Sequence, residues 1–89
     1  MASDIKATYL EANGVVFAGR TRVKAIHYKC GTNPVIELKD GDTNGAVKLK
    51  LGFASNTDDN VYLPDEGMLF ANGCFADLTN VTNVTVFFN

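Results

Sequence analysis

Few residues of this chain have side chains that could carry out catalysis. His27 is the only histidine, and Cys30 and Cys74 are the only cysteines. A nucleophile needs an adjacent base and a third group that orients the base, whereas a lone histidine beside Lys29 on a predicted strand is typical of a packed or surface residue. Zinc sites need several cysteine or histidine ligands at characteristic spacings. We therefore expect no catalytic residue, no metal site and no cofactor, and we predict that the protein is not an enzyme.

The acidic residues form patterns that match known binding sites only in part. Residues 40–45 read Asp-Gly-Asp-Thr-Asn-Gly, which is how an EF-hand calcium loop begins. That loop also needs a bidentate glutamate after the glycine, and the position it would occupy holds Leu51. A polar hairpin turn, in which Asp and Asn side chains bond the nearby backbone, explains the same residues. The pairs Asp58-Asp59 and Asp65-Glu66 lie in predicted loops, where we expect solvated carboxylates.

The composition is that of one small globular domain. The chain has 89 residues, of which 46% are hydrophobic, and chains of this length rarely divide into two domains. We therefore treat 1–89 as a single domain. No apolar run approaches the roughly 20 residues of a membrane helix, and residues 1–6 lack the basic and apolar regions of a signal peptide. We expect synthesis in a host cytoplasm, no membrane partner, and two buried, reduced thiols.

Turn and strand signals along the chain predict an all-β fold. The Asn-Gly pair, the strongest short-range hairpin signal, occurs at Asn13-Gly14, Asn44-Gly45 and Asn72-Gly73. Between these pairs lie short runs rich in Val, Ile, Thr, Phe and Tyr, which are typical of strands. The predicted strands are 4–10, 15–18, 20–30, 34–40, 46–53, 60–64, 67–71, 74–79 and 83–88. Their regular spacing indicates a small antiparallel β-sandwich, jelly-roll-like in form, or a β-barrel.

Side-chain alternation predicts which residues of the strand near 46–53 face the core. Lys48 and Lys50 should point to solvent, because successive side chains of a strand lie on opposite faces. The residues expected to face the core are Val47, Leu49 and Leu51.

Two other segments leave alternatives open. In the run 20–30, the apolar residues change from one face to the other near Ala25, which favours a β-bulge over a strand covered on both sides. Residues 4–12 fit a strand better than a short helix capped by Ser3 and closed at Gly14.

Charge is distributed unevenly along the chain. Residues 1–50 contain eight basic and five acidic residues, 8 − 5 = +3, whereas 51–89 contain five acidic residues and none that are basic, 0 − 5 = −5. Either the halves interleave and their charges pair across strands, or opposite faces attract neighbouring copies of the protein. Arg20, Arg22 and Lys24 would share one face of a regular strand. A single-stranded nucleic acid site would add exposed aromatics to such a ridge, so we expect no nucleic acid partner.

Several segments together resemble short structural proteins of tailed bacteriophages, notably phages of marine cyanobacteria. The segments that carry the resemblance are Asp4-Ile5-Lys6, Gly14-Val15-Val16-Phe17-Ala18-Gly19-Arg20-Thr21-Arg22, the hairpin from Asp40-Gly41 to Gly45, Leu63-Pro64-Asp65-Glu66-Gly67-Met68-Leu69-Phe70, Ala76-Asp77-Leu78-Thr79-Asn80-Val81 and Val84-Thr85-Val86-Phe87-Phe88. They span nearly the whole chain and are turn-and-strand patterns without catalytic residues. The resemblance implies a virion component that is present in many copies.

From the resemblance and the residues together we expect a capsid decoration or cement subunit, located in the virion. A tail, adaptor or fibre-associated protein and a carbohydrate-binding adhesion module are the alternatives. The expected partners are further copies of the chain, with a trimer as the favoured oligomer, and the major capsid or tail proteins. The residues expected to lie at interfaces are Arg20, Arg22, Lys24, Phe87 and Phe88.

Overall fold

The described part of the chain forms a single antiparallel sheet of seven strands, which confirms the predicted all-β class. The computed structural model describes residues 5–64 and 66–89, so Ser3, Asp4 and Asp65 lie outside the described residues. The strands are β1 (Lys6–Leu10), β2 (Gly14–Phe17), β3 (Thr21–Asp40), β4 (Val47–Gly52), β5 (Asp58–Tyr62), β6 (Met68–Phe70) and β7 (Cys74–Phe88). Because β1 pairs with β7 along its whole length, the strand interpretation of 4–12 is correct over 6–10 and the helix alternative is wrong.

The two longest strands must bend. A straight strand of the length of β3, 20 residues, would extend about 66 Å at about 3.3 Å per residue, yet the longest extent of the molecule is 39 Å. The bend lies at Asn33 in β3 and at Asn80 in β7, which have positive φ values of 51° and 56°. These positions lie side by side, because Cys30 pairs with Val81 and Val35 with Thr79 across an irregular register.

Each bent strand joins two intervals that the sequence analysis predicted as separate strands. The intervals 20–30 and 34–40 both belong to β3, and 74–79 and 83–88 both belong to β7. The residues between them change the course of the chain without reversing its direction. Nine predicted intervals therefore correspond to seven strands.

The bend divides the sheet into two facing layers, which makes the fold a β-sandwich. Layer one contains residues 21–30 of β3 and 81–88 of β7, flanked by β1, β5 and β6. Layer two contains 35–40 of β3 and 74–79 of β7, flanked by β2 and β4. The core between the layers consists of Val16, Val23, Ile26, Tyr28, Cys30, Ile36, Leu38, Phe70, Cys74, Ala76, Val84, Val86 and Phe88.

Contacts between the layers close the end of the sandwich opposite the bend. The ring of Phe17 on β2 packs against that of Phe88 on β7, with centroids 5.3 Å apart. The Lys48 ammonium on β4 donates a hydrogen bond to the Leu69 carbonyl on β6 at 2.9 Å. We call this end of the sandwich the closed end.

Only one of the three Asn-Gly pairs forms a hairpin between neighbouring strands. Asn44-Gly45 joins β3 to β4. At Asn13-Gly14 the chain continues in the same direction, since β1 and β2 both pair antiparallel with β7. Asn72-Gly73 crosses from β6 to β7, which pair with opposite edges of β3. The hairpin interpretation of these two pairs is therefore wrong.

The side chain of Asn13 explains how the chain passes from β1 to β2 without a turn. Its Oδ1 accepts a hydrogen bond from the Leu78 amide at 2.7 Å, and its Nδ2 donates to Asp77 Oδ1 at 3.2 Å. The side chain thus takes the place of a backbone group in the ladder to β7.

Two irregularities decide which side chains reach the core. The register shifts between Val23 and Ala25, which lets both Val23 and Ile26 be fully buried and confirms the predicted bulge. A second shift lies opposite Val47, between Leu38 and Lys39. Because of it Val47 is 47% exposed, so its predicted place in the core is wrong, whereas Leu49 and Leu51 pack against the core.

Candidate functional site

The fold separates the side chains that could have formed a nucleophile and its base. His27 and Cys30 lie on opposite faces of β3, with His27 exposed and Cys30 buried. His27 Nδ1 forms a 2.6 Å hydrogen bond with Asn60 Oδ1. The Cys30 thiol lies 3.2 Å from the Thr57 carbonyl oxygen. The imidazole therefore cannot act as the base for this thiol.

Cys74 is the most deeply buried of the ionisable groups described. Its side chain is fully buried in layer two, and burial, reinforced by the nearby Asp40 carboxylate, raises the pKa of the Cys74 thiol to about 12. A thiol held neutral in this way is a poor nucleophile, because the thiolate is the reactive form. Both cysteines are free and buried, as the sequence analysis predicted.

The raised pKa of Cys74 predicts a loss of stability in alkali. The folded chain keeps its proton up to about pH 12, whereas the unfolded thiol releases it near its ordinary pKa of 9.0. The contribution of the Cys74 thiol to the free energy of unfolding is therefore complete below pH 9. It is lost as the pH rises toward 12, with a limiting slope of about 1.4 kcal/mol per pH unit. Urea denaturation between pH 8 and pH 11, followed by circular dichroism, should show a smaller decline for Cys74→Ala. Equal declines for both proteins would contradict the prediction.

The segment 40–45 has the structure of a polar turn. Asp42 Oδ1 accepts a hydrogen bond from the Asn44 amide at 2.9 Å, and Asp40 Oδ1 accepts one from the Asn72 amide at 3.0 Å. The carboxylates therefore hold the backbone at the closed end. Across residues 5–64 and 66–89, no cluster of His, Cys, Asp and Glu side chains has the arrangement of a metal site.

The outer face of layer one exposes aromatic side chains. Register places its side chains in two central rows that run across β1, β7, β3 and β5. Row one is Ala7, Phe87, Ala25 and Tyr62, and row two is Tyr9, Thr85, His27 and Asn60. Tyr62 is 75% exposed and Tyr9 is 56% exposed. We call these two rows the outer aromatic face.

Charged residues lie at both ends of the outer aromatic face. Arg22 and Lys24 lie toward the closed end. Toward the bend are Asp58 and Lys29, which pair in register. Glu11 is also there, and it accepts a 2.9 Å hydrogen bond from the Tyr9 hydroxyl. This bond is the largest of the causes that raise the pKa of Tyr9.

Four of the five residues predicted to lie at interfaces are accessible at the surface. Arg20 is exposed, and Arg22, Lys24 and Phe87 are half-buried. Within the described part of the chain, none of the three cations forms an ion pair. Phe88 is only 4% exposed and packs inside the sandwich against Phe17. Phe88 therefore belongs to the core, and of these two adjacent phenylalanines it is Phe87 that reaches the surface.

The outer face of layer two carries paired charges beside the exposed side chains of Val15 and Val47. Lys39 Nζ lies 3.0 Å from Asp77 Oδ2, and Lys50 Nζ lies 3.6 Å from Glu37 Oε2. The Lys39–Asp77 pair joins the basic first half of the sequence to the acidic second half, as expected if the halves interleave. The cations that remain unpaired among the described residues include the three that flank the closed end of layer one.

The bend forms a shallow depression that the sequence analysis did not predict. It has a volume of about 480 Å³ and is lined by Gly31, Thr32, Asn33, Asn80, Val81 and Thr82. The side-chain Nδ2 of Asn80 donates a hydrogen bond to the backbone carbonyl oxygen of Asn33 at 3.5 Å. The sequence signals for this depression are Asn33 and Asn80, the residues at which β3 and β7 bend. Their proximity becomes evident only when the two strands are paired in register.

Comparisons with protein-family models, curated proteins and solved structures found no match. Over residues 5–64 and 66–89, no helix is long and apolar enough to cross a membrane.

Proposed function

We propose that the chain is a non-enzymatic structural subunit of a bacteriophage virion, where it decorates the capsid and stabilises the assembled shell. The observation that carries this proposal is the outer aromatic face, on which two tyrosines and Phe87 lie in a surface with few charges. Exposed apolar area of this kind is typical of surfaces that pack against other proteins.

The physical mechanism is binding to the assembled shell in preference to its free subunits. A ligand that binds only one state of an equilibrium stabilises that state by an amount that depends on its concentration and affinity. A rigid sandwich suits this role, because a preformed surface loses little conformational entropy on binding. The same surface would serve a tail, adaptor or fibre-associated subunit.

Particles assembled with and without this chain provide the test. We expect the chain in many copies on purified particles, and we expect its omission to lower the temperature at which the shell releases its contents. Adding back the purified chain should restore that temperature, whereas a variant with Tyr62→Glu should restore it less well. If the chain were absent from purified particles, the proposal would be wrong.

A carbohydrate-binding role is the second candidate, and the exposed side chains of Tyr9 and Tyr62 favour it. Aromatic rings can pack against the apolar face of a sugar, while Asn60 and His27 between them offer polar groups. In this case Tyr62→Ala should abolish retention of the chain on immobilised bacterial polysaccharide. Equal retention of the variant and the unmodified chain would exclude this role for the face.

A further inference from the structure

We infer that Asn44-Gly45, in the turn between β3 and β4, is a site of spontaneous deamidation, whereas the fold protects the other two Asn-Gly pairs. In this reaction the backbone nitrogen of the glycine attacks the side-chain Cγ of the asparagine and closes a five-membered imide. The amide group of the asparagine leaves as ammonia and takes the proton of the glycine nitrogen with it. Water then opens the imide at either carbonyl, which gives aspartate or isoaspartate.

Structure decides how readily each Asn-Gly pair reacts. The asparagine side chain must be free to rotate toward the glycine nitrogen, and that nitrogen must be released from its own hydrogen bond. The backbone must also open enough to accommodate the ring. Local opening costs little at exposed loop tips and much in paired or buried segments. The same dipeptide therefore reacts at different rates in different parts of one fold.

Asn44-Gly45 meets these conditions. The Asn44 side chain is exposed and has no hydrogen-bond partner among the described residues. The Gly45 amide donates a hydrogen bond to the Asp42 carbonyl oxygen at 2.9 Å. This bond lies within the turn, so it can open while β3 and β4 remain paired.

Asn13-Gly14 is protected by the hydrogen bonds of the asparagine side chain. Asn13 Oδ1 accepts from the Leu78 amide at 2.7 Å, and Nδ2 donates to Asp77 Oδ1 at 3.2 Å. Rotation of this side chain toward the Gly14 nitrogen would break these bonds, which attach the connection between β1 and β2 to β7. The reaction there requires the ladder to open.

Asn72-Gly73 is protected by packing around the glycine. Gly73 is buried, and the Phe17 carbonyl oxygen lies 2.9 Å from the position that a Cβ at Gly73 would take. Asp40 accepts hydrogen bonds from the Asn72 amide at 3.0 Å and from Nδ2 at 3.4 Å. The ring would have to form in a crowded site with its side-chain amide held by a carboxylate.

The turn also requires the glycine that makes Asn44 labile. A Cβ at Gly45 would collide with the carbonyl oxygen of Asp40, so only glycine fits. Conversion of Asn44 adds a negative charge to a turn that already contains Asp40 and Asp42. The turn lies outside the outer aromatic face, so the inference does not depend on the proposed function.

Peptide mapping by mass spectrometry during incubation at mildly alkaline pH tests the inference. In the folded chain we expect Asn44 to convert at least about tenfold faster than Asn13 or Asn72, because free energies of local opening differ between exposed turns and paired segments. In guanidinium chloride the three pairs should convert at similar rates, since all three are then equally mobile. Isoaspartate together with aspartate at position 44 would identify the imide, because direct hydrolysis of the amide gives aspartate alone.

Asn44→Gln is the matched variant, since the longer side chain forms a cyclic imide much less readily. It should remove most of the charge that the folded chain gains and leave Asn13 and Asn72 unchanged, with circular dichroism verifying the fold. Conversion of Asn13 or Asn72 as fast as Asn44 in the folded chain would overturn the inference. So would retention of Asn44 over a period in which it converts in the denatured chain, or an equal gain of charge by the variant.

Discussion

Phe70→Ala should reduce the free energy of unfolding by about 3–5 kcal/mol, the usual cost of removing a fully buried phenylalanine ring. Phe70 is 0% exposed, although β6, which carries it, has only three residues. The Lys48 ammonium lies 5.8 Å from the centre of its ring and bonds the carbonyl of the preceding residue. Loss of the ring would therefore leave a cavity where the two layers meet.

The size of this effect is large for a domain of 89 residues, whose total stability is of the order of 5–13 kcal/mol. Because the chain lacks tryptophan, urea denaturation is best followed by circular dichroism. Phe75→Ala is the matched control, since Phe75 lies half-buried on the outer face of layer two and its loss opens no cavity. A loss of less than 1 kcal/mol for Phe70→Ala would show that β6 is not part of the core.

The sequence predicted the strands better than their connections. Strand composition and alternation depend on local contacts with one apolar layer, so the intervals 15–18 and 46–53 were found with nearly correct bounds. Whether a polar segment reverses the direction of the chain or only bends the strand depends on how the neighbouring strand pairs with it. Asn33 and Asn80 have residue types common in both, and their paired positions in β3 and β7 make them bends.

The Asn-Gly pair at Asn13-Gly14 shows the same limit at a smaller scale. Its composition is that of a tight hairpin turn, which requires the next strand to pair with the preceding one. In this fold β7 offers its edge to both β1 and β2, and the Asn13 side chain bonds that edge directly. The pairing of β1 and β2 with β7 therefore prevails over the local preference of Asn13-Gly14 for a hairpin turn. No local sequence pattern reveals that pairing.

The charged and the aromatic residues of the candidate site have different signals in the sequence. Alternation placed Arg20, Arg22 and Lys24 together on one face. Phe87 and Phe88 were both expected to lie at interfaces, and only the pairing of Val23 with Phe88 decides which ring enters the core. Tyr9 and Tyr62 come together on one face only through the register of four strands, which the sequence does not specify.

Gly67→Ala should destabilise the fold by on the order of 3 kcal/mol, through the backbone and without opening a cavity. Gly67 has a φ of +84°, and an added Cβ would collide with the carbonyl oxygen of Val23 and approach its carbonyl carbon to 3.0 Å. Val23 is fully buried beside the bulge of β3, so its backbone cannot move aside cheaply. Gly52→Ala is the control, because a Cβ there would meet no atom within 4 Å, and it should leave the urea midpoint almost unchanged. Equal midpoints for the two variants would mean that the segment after β5 relaxes freely, and Val23 would then not hold the position of Gly67.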